Sequence, residues 1–166
     1  VQGVAWPVLV EGPLACCAAT SSDGGGAWAN DHANITLQGG SRVERCNAKN
    51  NGGALAVFAG SRADILEGSI LSECYAARYG GGAHVQTLLG PCAHTCSHCR
   101  MVQSSIVNCS AGTASGGLAV SSGATLLATD SVRAPRLEFA HDATAHAPVP
   151  CLMLTNRGVC PRFSTR

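Results

Sequence analysis

A chain of 166 residues is long enough to bury one elongated core, and with 46% apolar but only 4% aromatic residues that core must be built from small side chains. The formal charge of +1, from 11 Lys plus Arg against 10 Asp plus Glu, carries no basic cluster and so argues against nucleic-acid or acidic-lipid partners. Ten cysteines are more than a reducing compartment usually tolerates outside metal sites, which points to an oxidising, extracellular or cell-surface location.

Residues 1–15 read as a lead-in segment. Its apolar stretch, Val4 to Val10, is interrupted by Trp6 and Pro7 and is too short to span a bilayer. No charged-then-apolar leader is present, so any signal peptide is expected to lie outside this stretch, as in a piece of a larger secreted protein.

From Cys17 onwards one phrase recurs: Cys17-AATSSDGGGAWA, Cys46-NAKNNGGALAV, Cys74-YAARYGGGAHV and Cys109-SAGTASGGLAV. The cysteines are 29, 28 and 35 residues apart. A period in this range signals a solenoid, propeller or array, in which each unit buries its apolar face against its neighbours. Ser41, Ser69 and Ser104 each stand five residues before the next cysteine, so the second half of the unit repeats too. The runs between are short, aliphatic and of period-2 character, with no helical spacing. A unit of about 28 residues suits three strands of about 4 to 6 residues and three turns. The glycine pair is expected at a sharp turn needing positive φ. Aligning the pairs predicts that Leu55, Val57, Val85, Leu118 and Val120 share one sheet. A propeller blade needs about 40 residues and hairpin turns that are not evident here.

The third unit is longer by about seven residues, and the excess lies near Leu88 to Arg100. Solenoids take such insertions as side loops. The loop contains Cys92, Cys96 and Cys99 with His94 and His98 between them. One C-x-x-C without a second pair is a weak zinc signature, so loop disulfides, among themselves or to Cys16 or Cys109, are favoured over a metal, with the histidines as polar loop residues. Residues 137–166 read as an irregular capping or joining segment, with Cys151 and Cys160 closing a loop on one another. The parallel β-helix itself is placed at 16–136.

The strings ILSECYAARYGGGAHV and SIVNCSAGTASGGLAV resemble the repeat of the chlamydial polymorphic outer-membrane proteins: an aliphatic or aromatic residue, Asn, a small residue, Ala, then Gly-Gly-Ala-Ile. The resemblance covers residues 17 to about 132. It implies the right-handed parallel β-helix of the pectin-lyase-like superfamily, on a cell surface or in a large extracellular protein.

Equivalent cysteines on stacked coils would lie about 4.8 Å apart, within the roughly 4.4–6.8 Å that a disulfide spans. Cys17 with Cys46, and Cys74 with Cys109, are therefore candidate bridges. The alternative is an inward ladder of buried thiols, and both stay open. Asn34-Ile-Thr and Asn108-Cys-Ser fit the glycosylation acceptor pattern.

Polysaccharide lyases and hydrolases on such coils need clustered carboxylates. Here the acids are scattered: Asp64 and Glu67, with Arg62 beside them, are the nearest approach, and they read as a solvated face. The triplet Gly24, Gly25, Gly26 lacks the lysine and serine of a phosphate-binding loop. Neither cofactor nor catalytic set is expected. The sequence is thus an all-β, right-handed parallel β-helix of about four coils with a disulfide-rich side loop. Its expected role is that of a non-catalytic structural or adhesive module of a secreted or cell-surface protein. It would assemble with copies of itself or with companion extracellular proteins into a wall, coat or filament. Polysaccharide binding or cleavage is the alternative, although Trp6, Trp28, Phe58, Tyr75, Tyr79, Phe139 and Phe163 recur at no single coil position.

Overall fold

The computed structural model describes residues 2–3, 8–15, 18–19, 22–87, 96–113, 115–121, 124–129, 137–139 and 152–155. Every regular element among them is a β-strand, and every pairing is parallel. The strands form three open sheets of six, four and eight strands. The chain visits the sheets in rotation and pairs one layer on each time it returns.

The first sheet stacks Gln2–Gly3, Ala27–Ala29, Leu55–Phe58, Ala83–Gln86, Leu118–Ser121 and Leu137–Phe139. Leu55, Ala83 and Leu118 are register partners, as are Val57, Val85 and Val120. All six are buried, so the five residues aligned on the glycine pairs do share one sheet.

The second sheet is built around the long strand Asn34–Glu44. Its first part pairs with Arg62–Ile65 and its second with Ile70–Ser72. Each unit therefore has four pairing segments where three were expected, because the chain bends within this wall instead of turning away. The third sheet, through Ala18–Ala19, Asn47–Ala48, Tyr75–Ala76 and Ser110–Ala111, has strands of only two residues.

Three recurring positions shape each layer. Buried Ser41, Ser69 and Ser104 stand at one bend. Ser41 Oγ is 2.7 Å from Val10 O, Ser69 Oγ is 2.5 Å from Leu66 O, and Ser104 Oγ is 2.8 Å from both Ile65 O and Val102 O. Each hydroxyl thus donates to a carbonyl beside the bend. At the next bend Arg45, Glu73 and Asn108 have φ of 52°, 54° and 52°, a left-handed corner that swings the following cysteine inward. At the third, Gly24, Gly52 and Gly80 have φ of 69°, 67° and 63°.

The second glycine of each pair serves a different purpose from the one expected. Gly53 is absent from the positive-φ positions, and a Cβ there would overlap the carbonyl oxygen of Gly81 and the backbone of Tyr75. Gly25 and Gly81 meet the backbone of Asn47 and Ser110 in the same way. The walls approach so closely here that only a residue without Cβ fits.

The core is a set of vertical stacks. Ile35, Ala63, Cys99 and Leu126 form one; Leu37, Ile65 and Met101 another; Val43, Leu71 and Ile106 a third. Aligned layers present similar small or aliphatic groups, so no large aromatic is needed to fill the interior.

Strands near both ends of the chain join these sheets. Val8–Ala15 pairs along Asn34–Glu44, and Gln2–Gly3 pairs with Trp28 and Ala29. Leu137–Phe139 pairs with Leu118–Val120, and Leu152–Thr155 with Leu126–Thr129. Backbone at both ends thus continues the stacks outside 16–136.

Candidate functional site

The cysteines that mark the repeat line one internal column. Cys46, Cys74 and Cys109 are buried, and the residues that follow them, Asn47, Tyr75 and Ser110, pair in register. The Cys46 N–H donates to Cys74 Sγ at 3.4 Å. Cys74 Sγ lies 3.6 Å from Val43 O in the preceding layer and 3.1 Å from Ser72 O in its own. Cys109 Sγ lies 3.7 Å from Leu71 O in the preceding layer and 3.4 Å from Val107 O. The Cys74 and Cys109 thiols therefore lean towards the layer before them, and Cys46 Sγ lies 3.4 Å from Glu44 O in its own layer. A hydrogen bond with Cys109 is the main reason the Cys74 thiol is pushed up to about 12, and the same bond holds Cys109 below its ordinary value. Cys46, Cys74 and Cys109 are thiols here. Cys17, the expected partner of Cys46, lies outside the described residues, as do Cys16, Cys92, Cys151, Cys160 and His94.

Regular pairing resumes before Arg100, the expected end of the insertion. Gln86 pairs with Phe58 and His98 with Arg62, so the extra residues lie between Gln86 and His98, and registry is kept on either side. Its neck is tied by Ser97 N donating to Thr87 Oγ1 at 2.9 Å and Ser97 Oγ to Gln86 O at 2.9 Å. Cys99 is not a loop residue. It sits in the strand His98–Val102, points into the core with 2% exposure, and burial pushes its thiol up to about 12. His98 is exposed on the opposite face, because alternate residues of a strand point opposite ways, so His98 and Cys99 cannot converge on one ion. Cys96 is half-buried at the neck. Among the described residues no group of three or more His, Cys, Asp or Glu could hold a metal.

The outer face of the first sheet holds a cluster that the sequence reading missed. Trp28, Ala56, His84 and Ala119 are successive register partners there. Although they face away from the core, Ala56 and Ala119 are fully buried and His84 is 3% exposed. Phe58 meets the His84 ring edge-on at 5.5 Å, and the Tyr79 ring lies 6.2 Å away. His84 Nε2 is 3.3 Å from Ser121 Oγ, and burial lowers its pKa to about 4. Trp28 Nε1, Asn51 Oδ1 and His84 Nδ1 are buried without a hydrogen-bond partner. Trp28 and His84 are 56 residues apart, twice the repeat; reading the chain at that interval is the signal that would have found them.

The acids suspected of catalysis are set to other tasks. Asp64 accepts two hydrogen bonds from Arg62, at 2.8 and 3.0 Å, which raises the Arg62 pKa. Glu67 stands at a left-handed turn with φ of 55° and accepts from Gly39 N at 3.2 Å. Asn34 and Asn108, the candidate glycan acceptors, are both exposed.

Comparison with protein-family models, curated proteins and solved structures gave no match.

Proposed function

We propose that this chain is a right-handed parallel β-helix of the polymorphic outer-membrane type and acts as a non-catalytic structural or adhesive module. The observation that carries this reading is the in-register stacking of all three sheets at an interval of 28 residues, between the first and second units in the eight-stranded sheet and between the second and third in the other two. Such a stack makes a stiff rod whose function resides in its length, side faces and ends. The separate use of Asp64 and Glu67 supports a non-catalytic role. The cysteine content supports an oxidising, extracellular or cell-surface setting, and the exposure of Asn34 and Asn108 is what N-linked glycans require. Partners on this reading are other copies of the chain or companion extracellular proteins, meeting its side faces or coil ends.

Electron microscopy and sedimentation of the purified chain test the assembly reading, with rods or lateral arrays as the expected result. A monodisperse monomer that cleaves a polysaccharide, and stops doing so when Asp64 and Glu67 become Ala, would replace it with the enzymatic one.

A second reading, saccharide binding without cleavage, is favoured by the cluster of Trp28, Phe58, Tyr79 and His84 on the outer face of the first sheet. The half-buried rings of Trp28 and Tyr79 leave part of their aromatic surface open, which is what a sugar ring stacks on. Glycan-array binding that is lost in Trp28→Ala would support it.

A further inference from the structure

The thiol column offers chemistry that neither a static bridge nor an inert ladder describes. Neighbouring layers are about 4.8 Å apart, a separation at which a disulfide closes without moving the backbone. Parallel neighbours often direct their side chains the same way and so miss each other. Here the sulfurs themselves show the direction: Cys74 Sγ approaches Val43 O and the Cys46 N–H, and Cys109 Sγ approaches Leu71 O. Val43 and Leu71 are register partners in successive layers, so the lean repeats from one layer to the next, and it is long enough for the thiols to meet head to tail: Cys74 hydrogen-bonds with both Cys109 and Cys46. The middle sulfur thus has a cysteine on either side. Accessibility grades along the column, from 0% at Cys46 and 1% at Cys74 to 6% at Cys109.

We propose that Cys46, Cys74 and Cys109 form a three-thiol exchange column, in which one disulfide is made first between Cys74 and Cys109 and then passes to Cys46 and Cys74. It acts as a movable staple between layers, independent of what the module binds. The oxidant is a small-molecule disulfide of the glutathione class. Cys109 thiolate attacks it, forming a mixed disulfide and releasing one small thiolate. Cys74 then attacks Cys109 Sγ, the protein disulfide forms, and the second small thiol leaves. Two protein thiols are oxidised and one small disulfide is reduced to two thiols. In the exchange step Cys46 thiolate attacks Cys74 Sγ, the bond from Cys74 to Cys109 breaks, and its electron pair leaves on Cys109, which takes up the proton lost by Cys46. No further oxidant is consumed. The hydrogen bond that favours the Cys109 thiolate suits it to both attack and departure, since a low thiol pKa speeds leaving.

The test incubates the folded chain with oxidised glutathione, alkylates remaining thiols at intervals, digests without reduction and identifies linked peptides by mass. The expected first product joins Cys74 to Cys109. The expected second joins Cys46 to Cys74, appearing as Cys109 becomes alkylatable again. Cys46→Ala should keep the first product and lose the second, whereas Cys109→Ala should lose the first. Should either variant fail to fold, the wild-type time course decides alone. The proposal is overturned if glutathione stays on Cys109 while Cys74 remains alkylatable. It is equally overturned if Cys74 and Cys109 never link, or if Cys46 is found joined to Cys17 throughout.

Discussion

Cys46 and Cys74, 28 positions apart in the chain, meet through a hydrogen bond from the Cys46 N–H to the Cys74 sulfur, 3.4 Å long. The contact joins two layers through a side chain in the interior, where the Cys74 and Cys109 thiols each serve both their own strand and the one before. Cys74 has a column neighbour on each side and Cys109 is the last described member. Cys74→Ala removes a buried sulfur that touches Cys46 N, Val43 O and Ser72 O and should destabilise by about 2 kcal/mol. Cys109→Ala, at 6% exposure, should cost about 1 kcal/mol. Urea unfolding under reducing conditions checks the order; equal losses would contradict it.

Two glycines separate close approach from backbone strain. A Cβ at Gly53 would collide with the Gly81 carbonyl and the Tyr75 backbone, neither of which can swing aside. Gly53→Ala should cost about 3 kcal/mol or more, or prevent folding. Gly39 has φ of 62° but open space around its Cβ position, so Gly39→Ala should cost about 1–2 kcal/mol from the left-handed conformation alone. Thermal melts of both variants make the comparison.

The pH dependence of stability should carry the mark of His84. Its folded pKa of about 4 lies below the ordinary 6.5 because burial disfavours the charged ring. Between these values the unfolded chain binds a proton that the folded chain does not, so stability falls as pH drops from about 6.5 to 4 and levels off below. The loss approaches about 3 kcal/mol. In His84→Phe, which keeps a ring against Phe58 and Tyr79, that part of the slope should vanish. Denaturant midpoints at several pH values give the measurement, and an unchanged slope would rule the assignment out.

The corner column of Arg45, Glu73 and Asn108 includes one residue type suited to its geometry. Asn tolerates the left-handed region and Glu does not. Glu73 is exposed with φ of 54°. Glu73→Asn should therefore raise stability by about 0.5–1 kcal/mol, and Asn108→Glu should lower it by a similar amount. Opposite shifts in Tm for the two variants are the expected result.

Much of the layer was legible in the residues themselves. Cysteine, glycine pair and serine recur because each answers a local demand: an inward small side chain, a wall too close for Cβ, a carbonyl at a bend. Pairing glycine with glycine therefore placed Leu55, Val57, Val85, Leu118 and Val120 in one sheet. Other features depend on neighbours 28 or more residues away. Cys99 reads as part of a cysteine-rich loop until pairing with Ala63 and Leu126 turns it inward. Trp28 and His84 share a face only because Ala56 lies between them in register. The end strands pair with layers that local sequence does not name. A strand has no hydrogen-bond partner within itself, so its local pattern specifies which side of it is apolar. Only the stacked chain specifies what that side meets, and hence which thiols and rings come within reach of one another.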